Sequence, residues 1–136
     1  MPVKNFWECG QWKEGFHLKD ITRQYGVRRS ACFGCNVHCH TLYEVKEGEY
    51  AGVTGGGPEY ETVNAFGGKC LCSDMPAILY MNRLCAEYGL DTVSTGNIIA
   101  LLMDLYDKGK ISEKATAISS WRPFSWTCAT AFTARF

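Results

Sequence analysis

Three cysteines within eight residues are the feature that most constrains how this chain can fold. Cys32, Cys35 and Cys39 form a C-x2-C-x3-C pattern in ACFGCNVHCH, a stretch too rich in special residues for an ordinary helix or strand. We therefore place it on a loop, where Gly34 relieves crowding and the short gaps let three sulfurs turn inward. Free cysteines rarely crowd in this way, so the pattern predicts a metal site.

Two metal chemistries fit this pattern. An iron–sulfur cluster takes four thiolates, so a fourth ligand would come from Cys70, Cys72 or Cys85, or from a residue beyond this chain. A zinc site would instead combine the three clustered cysteines with His38 or His40. The residues by themselves leave both possibilities open.

Cysteine content and charge limit the cellular compartment and the classes of partner that we expect for the protein. The chain has eight cysteines in 136 residues, and its N-terminus lacks the apolar segment of an export signal. We therefore expect a cytoplasmic protein whose cysteines are core thiols or metal ligands. No apolar run approaches the ~20 residues of a bilayer span. The 14 basic residues balance 14 acidic ones, which argues against nucleic-acid or membrane partners.

Periodicity predicts several helices and little strand. We expect a short helix over residues 18–27, a short strand at TLYEV, and a glycine-rich loop at EGEYAGVTGGGPEY. A brief helix is expected from about Pro58, closed by Gly67-Gly68. Longer helices should end at Gly89 and Gly109, and the second of them, which begins near residues 94–95, is apolar on almost every face and so belongs inside a larger protein.

Three further groups of residues have both a structural and a functional interpretation. Gly55-Gly56-Gly57 predicts a flexible turn more strongly than a phosphate or pterin cradle, because no nucleotide-binding motif accompanies it. Glu59 and Glu61 are expected to be solvated acids, although a carboxylate beside a buried metal would serve as a general base. Asp91 is expected to cap the following helix, or to hold a polar ligand at that helix end.

Read in order, three segments closely resemble the second domain of the tungsten-dependent aldehyde:ferredoxin oxidoreductase family: ACFGCNVHC, YAGVTGGGPEYETVNAFG and AIL-MNRLCAEYGLDTVSTGNIIALLMDLYDKG. The similarity covers roughly residues 2–114. It implies a larger enzyme in which a β domain and two mainly helical domains enclose a tungsten, or a molybdenum, held by two pterins beside a [4Fe-4S] cluster. The expected fold class is therefore mainly α: a helical fragment of a multidomain enzyme, with a cysteine-rich loop and at most a short strand pair.

The resemblance also implies roles for particular residues. The three clustered cysteines, at positions 32, 35 and 39, match three cluster ligands, and the family's fourth cysteine lies far downstream, so the other cysteines would not replace it. Glu61 matches the carboxylate beside the metal that is proposed to activate water. Gly89, Leu90 and Asp91 match the end of a pterin-binding D-x-x-G-L-D motif, with Asp91 reaching the pterin. Ala86 stands where that motif has its first acid, so one pterin contact would be missing.

The implied reaction is the oxidation of an aldehyde to a carboxylic acid, with electrons leaving through the cluster to ferredoxin. The isolated chain, without the missing domains, is expected to be inactive. Some family members hold a metal between subunits with a Glu and a His; Tyr80 and Arg83 occupy those positions, so we predict no such bridge. The alternatives are a small iron–sulfur electron-transfer module and a structural zinc domain.

The end of the chain differs from what precedes it. The last 20 residues, AISSWRPFSWTCATAFTARF, contain no acidic residue, two tryptophans and no clear period. We interpret residues 1–114 as a fragment of the helical domain that binds the cluster and the pterin. Residues 115–136 are interpreted as an atypical tail: a frameshifted or misjoined end is the favoured explanation, and a merely unusual tail is the alternative.

Overall fold

The computed structural model describes the backbone of two short strands and of residues 18–112, with side chains for residues 19–112. The interpretation of residues 115–136 falls outside this described part. The expected mainly helical architecture is confirmed. The elements in chain order are β1 (Pro2–Val3), β2 (Glu8–Cys9), α1 (Leu18–Tyr25), β3 (Gly26–Ser30), β4 (His40–Glu44), β5 (Thr54–Gly56), α2 (Tyr60–Val63) with a π-helical turn (Asn64–Lys69), α3 (Met75–Tyr88) and α4 (Thr92–Asp107).

The main sheet is antiparallel, in the order β3-β4-β5, and β1 pairs with β2 separately. Its third strand, β5, lies within the predicted glycine-rich loop, so the strand content exceeds the expected pair. The reason lies on the neighbouring strand. A Cβ added to Gly56 would collide with the ring of His40, and a Cβ added to Gly55 would collide with the ring of Tyr43. The glycines therefore make room for two rings, which gives a side-chain-poor strand its packing.

The predicted brief helix is present as α2, but it widens into the π-helical turn instead of stopping at Gly67-Gly68. Both glycines are buried inside this turn, which continues to Lys69. Helix α4 packs tightly against it, because a Cβ built on Gly96 would lie 2.7 Å from the Cβ of Ala65. Tertiary packing thus keeps the glycines within the turn despite their usual role as helix stops.

Helix α3 has the boundaries that the sequence predicts. Asp74 is its N-cap, and Oδ1 of this residue accepts a hydrogen bond of 3.5 Å from the backbone of Ala77. Gly89 ends the helix in the left-handed region, at φ 68°. Helix α4 starts at Thr92, earlier than predicted, because Asp91 rather than a later residue is its N-cap.

The core is centred on α3. Its fully buried Ile78 and Leu79 pack in one cluster with Val45, Val63 and Phe66 from the sheet and the α2 segment. Burial of side chains of this size typically contributes about 1.5–3 kcal/mol each.

The predicted all-round apolar character of α4 has a visible consequence. Ala100 and Met103 are buried, whereas Ile98 is 58% exposed and Leu101 is 47% exposed. No helix in the described part of the chain is long and apolar enough to cross a membrane.

Candidate functional site

The three clustered cysteines lie on the connection between β3 and β4. The two strands are antiparallel and pair Ser30 with His40, so the strand pair closes both ends of the loop. Within it, the backbone N–H of Cys35 donates to the carbonyl of Cys32 at 3.0 Å, forming a turn. Gly34 adopts φ 71° in this turn, a conformation that side chains disfavour. The predicted loop is confirmed.

The loop presents its thiols to solvent. Cys32 and Cys39 are exposed, Cys35 is partly buried, and all three are free thiols. The backbone N–H of Val37 donates to Sγ of Cys35 at 3.4 Å, a type of contact that tunes cluster sulfurs. Among residues 19–112, no three Cys, His, Asp or Glu side chains are grouped closely enough to hold a metal ion. The donor set suits an iron–sulfur cluster, but the sulfurs are not gathered around one point.

The two histidines considered for zinc have different surroundings. His38 is exposed and has φ 51°. His40 packs on Gly56, and its Nδ1 lies 3.8 Å from Oε1 of Glu59. The ring of His40 is therefore engaged with the sheet and the start of α2.

The remaining described cysteines on α3 and near the π-helical turn are core residues. Sγ of Cys70 donates to the carbonyls of Ala65 at 3.3 Å and Gly96 at 3.5 Å. Burial raises the pKa of the Cys70 thiol to about 12. Burial also raises the pKa of the thiols of Cys72 and Cys85. Such neutral, enclosed thiols are poor nucleophiles and poor ligands.

Glu61 lies in the first turn of α2 with its side chain exposed. Nδ2 of Asn64 donates to its Oε2 at 3.4 Å. Asn64 is buried, and its Oδ1 has no hydrogen-bond partner in the described part of the structure. The sequence gives one weak signal for Asn64, a single amide within the apolar run Val63-Asn64-Ala65-Phe66, and no role was predicted for it.

The segment Gly89–Asp91 joins α3 to α4. The backbone N–H of Leu90 donates to the carbonyl of Cys85 at 2.8 Å, completing the turn after α3, while the Leu90 side chain is 53% exposed. Oδ2 of Asp91 accepts from the backbone N–H of Ser94 at 2.6 Å. This bond, followed by one from the Ser94 side chain, lowers the pKa of Asp91. The capping interpretation of Asp91 is confirmed.

The two α3 residues for which we predict no intersubunit metal, Tyr80 and Arg83, are engaged locally. The Tyr80 ring packs against Tyr50 with centroids 5.2 Å apart. Nε of Arg83 lies 2.7 Å from Oε1 of Glu87, one helical turn away. Ala86, at the missing acid of the pterin motif, is exposed.

Two contacts connect the three predicted site segments. His40, which follows Cys39, approaches Glu59 at 3.8 Å. Thr62, which follows Glu61, shares a hydrogen bond of 2.8 Å with Thr92, which follows Asp91. The cysteine loop, the start of α2 and the start of α4 are therefore consecutive neighbours in space, although they are far apart in the sequence.

Comparison with known proteins gives consistent matches. The family described as "Aldehyde ferredoxin oxidoreductase, domains 2 & 3" matches residues 1–128. The tungsten-containing aldehyde ferredoxin oxidoreductase of Pyrococcus furiosus is 35% identical over 92% of this chain and 20% of its own length. The corresponding protein of Thermococcus kodakarensis is 32% identical over the same shares. The WOR-like subunit of an aliphatic sulfonate oxidoreductase of Pyrococcus furiosus is 26% identical over 83% of this chain and 18% of its own length.

These matches agree with the motifs read from the sequence. The first two relatives align with 92% of the chain, and the chain spans about 20% of their length. The expectation of a fragment of a larger enzyme is confirmed. The chain belongs to the aldehyde ferredoxin oxidoreductase family, and corresponds to part of its domains 2 and 3.

Proposed function

We propose that this chain is part of an enzyme that oxidises aldehydes to carboxylic acids at a tungsten, or molybdenum, bis-pterin centre, with a [4Fe-4S] cluster and ferredoxin as electron acceptors. The supporting observation is that residues next to the predicted site residues are in contact: His40, which follows Cys39, approaches Glu59, and Thr62, which follows Glu61, shares a hydrogen bond with Thr92, which follows Asp91. An enzyme of this kind needs its cluster ligands, its acid–base group and its pterin contacts close together. Family membership supports the same assignment.

The cysteine loop would supply three cluster ligands. Cys32, Cys35 and Cys39 provide three thiolates, one fewer than the four that a [4Fe-4S] cluster takes. The buried thiols of Cys70, Cys72 and Cys85 are unsuited to complete the set, so we assign the fourth ligand to the part of the enzyme outside this chain. The N–H of Val37, which donates to Sγ of Cys35, would stabilise negative charge on that sulfur.

Glu61 and the Gly89–Asp91 segment would act beside the metal–pterin unit, which supplies the redox chemistry when bound. Glu61, exposed at the start of α2, would accept a proton from water as the aldehyde is oxidised. Overall, aldehyde and water give a carboxylic acid, two electrons and two protons. The Gly89–Asp91 turn has an exposed leucine and a helix-end carboxylate available for the pterin.

The isolated chain should be inactive because most of the cofactor enclosure lies in the missing domains. The test compares the purified 136-residue chain with the full-length enzyme, both reconstituted without oxygen and assayed with aldehydes and a viologen dye. We expect turnover only from the full-length enzyme. Turnover by the isolated chain would refute the fragment proposal.

The same assay tests the substrate class. One relative is named as part of an aliphatic sulfonate oxidoreductase, so the substrate panel should include short alkane sulfonates. A full-length enzyme that oxidises a sulfonate and no aldehyde would overturn the aldehyde assignment. It would leave the family membership unchanged.

A cytoplasmic location and a boundary at residue 114 belong to the same proposal. The cytoplasmic assignment is supported by the free thiols of the six described cysteines, because a reducing compartment keeps cysteines in this form. Cell fractionation with an antibody against the chain tests it, and recovery outside the cytoplasm would contradict it. The coding sequence beyond Lys114 tests the boundary: a shifted frame that continues the family motifs would identify the tail as misjoined.

A further inference from the structure

Asn64 is a buried amide whose hydrogen bonding the fold does not explain. It is the first residue of the π-helical turn and only 4% exposed. Its Nδ2 donates to Oε2 of Glu61 at 3.4 Å, while its Oδ1 is buried without a partner among the described residues. A buried carbonyl without a donor destabilises a protein, so an amide at this position requires a reason.

Two other asparagines, Asn82 on α3 and Asn97 on α4, make the hydrogen bonds that are usual for partly buried amides. Nδ2 of Asn82 donates to the carbonyl of Gly56 at 2.9 Å and to Oη of Tyr43 at 3.2 Å, connecting α3 to the sheet. Oδ1 of Asn97 accepts from Nζ of Lys69 at 2.6 Å. These amides connect one element to another. Asn64 instead donates to an exposed carboxylate on its own helix, a contact that contributes little to stability.

The chain before and after Asn64 is bound to α4 by side-chain hydrogen bonds. Before it, Thr62 bonds to Thr92 at the start of α4; after it, Lys69 bonds to Asn97. Between these bonds, Gly96 lies directly against Ala65. The amide is therefore fixed in a rigid π-helical turn, a structure that occurs often at functional sites.

We propose that Asn64 is a positioning residue that orients the Glu61 carboxylate. This inference rests on the proposed function, in which Glu61 accepts a proton. The amide N–H donates to one carboxylate oxygen of a side chain that is otherwise exposed, which leaves the other oxygen available to accept a proton. The 3.4 Å distance is long, and catalytic hydrogen bonds often shorten only when the substrate is bound.

A double-mutant cycle in the full-length enzyme tests the proposal. The variants are Asn64→Leu, which keeps the size and removes the amide, Glu61→Gln, and the two combined. We expect Asn64→Leu to lower kcat roughly tenfold with little change in KM, because misplacing a catalytic group mainly affects the chemical step. In the Glu61→Gln background, Asn64→Leu should have no further effect.

Thermal unfolding of the cofactor-free protein supplies a readout that does not depend on activity. Asn64→Leu should leave the midpoint unchanged or raise it, because it removes an unsatisfied buried carbonyl. The matched control, Asn82→Leu, should lower the midpoint, because it removes the donor to Gly56 and Tyr43. Asn64→Asp, which keeps the shape but replaces the donor with an acceptor, should also lower kcat and tests the proposal if Asn64→Leu does not fold.

The outcomes distinguish a failure of the proposed role of Glu61 from a failure of the positioning role of Asn64. If Glu61→Gln retains normal kcat, the role of Glu61 in the proposed function fails, and the role of Asn64 fails with it. If Glu61→Gln lowers kcat but the Asn64 variants have no effect, or the same effect in both backgrounds, the positioning role is overturned while the proposed function stands. A lower midpoint for Asn64→Leu, together with an unchanged kcat for Asn64→Asp, would also overturn it, since the amide would then be structural only.

Discussion

The cysteines of the loop and those of the helical core differ in almost every physical respect. Cys32 and Cys39 are exposed at the end of a strand pair, whereas Cys70, Cys72 and Cys85 are buried. In the loop, the backbone N–H of Val37 donates to a sulfur; in the core, Sγ of Cys70 itself donates to two carbonyls. One environment suits a sulfur that must become a thiolate, and the other suits a neutral thiol.

Under the proposed function, environment rather than the number of cysteines would decide which of them bind iron. A thiolate ligand needs access to the metal and donors that stabilise its charge. The loop provides access and one donor. The core provides little access, and desolvation is the largest influence on the pKa of its three thiols, which favours their neutral form.

The largest expected effect is on cluster content. In the full-length enzyme, Cys35→Ser should remove most of the iron and acid-labile sulfide, because it deletes one of the proposed ligands. Cys70→Ser should retain the cluster, since its hydroxyl still donates to the carbonyls of Ala65 and Gly96. Iron and sulfide analysis with low-temperature electron paramagnetic resonance checks both. Cluster loss in Cys70→Ser with an intact fold would make the core thiol a ligand and abolish the contrast.

The next effect is on thiol reactivity. In the cofactor-free chain at pH 8, iodoacetamide should label Cys32 and Cys39 while leaving Cys70 unlabelled, as mass spectrometry of peptides would show. At this pH a thiol with a pKa of about 12 is almost entirely neutral. Equal labelling of all three would mean that the core opens on the timescale of the reaction.

The same raised pKa makes stability depend on pH in a defined direction. Folding favours the neutral Cys70 thiol, so its contribution is complete below about pH 9, the unfolded value, and declines as the pH rises toward about 12. Urea unfolding at pH 8 and at pH 10.5 should show this loss. Cys70→Ser, which does not titrate in this range, should reduce the pH dependence. An unchanged pH dependence in that variant would contradict the assignment to Cys70.

The sequence predicted those parts of the fold whose signals are local. Helix α3 was correctly bounded because Asp74 and Gly89 adjoin its ends and act through short-range hydrogen bonds. Strand β5 was missed because Gly55 and Gly56 gain their packing from rings on β4. The π-helical turn was missed for the same reason, since its Ala65 packs directly on Gly96 of α4, a residue far away in the sequence.

The candidate site also has features with local sequence signals and features that depend on contacts between distant elements. The cysteine spacing predicted a loop, and Asp91 was correctly interpreted as a helix cap, because both signals lie within a few residues. The approach of His40 to Glu59 joins elements that no periodicity relates. The importance of Asn64 depends on which of its amide atoms finds a partner, and only the folded structure defines this.

Glycine substitutions in the loop and in the core should also differ, although their effects on the free energy of unfolding are smaller. In the core, Gly96→Ala should destabilise the chain by about 1–3 kcal/mol, because the new Cβ would lie 2.7 Å from that of Ala65. Urea unfolding measures the change. Ala65→Gly combined with Gly96→Ala removes the contact between the two Cβ atoms and should recover only part of the loss, because the new Cβ would still lie 2.9 Å from the backbone carbonyl carbon of residue 65. If Gly96→Ala stabilises the chain, helix propensity outweighs the contact and the packing argument fails.

In the loop, Gly34 is needed for its conformation rather than for space. A Cβ on Gly34 would meet nothing within 4 Å, but its φ of 71° disfavours alanine by about 1–2 kcal/mol. We expect Gly34→Ala to have the smallest effect on urea unfolding, because the strained turn would relax locally in an exposed loop. Gly34→Asn should be milder still, since asparagine tolerates this region. If Gly34→Ala destabilised the chain as much as Gly96→Ala, the loop would unfold together with the core and the two regions would not be energetically distinct.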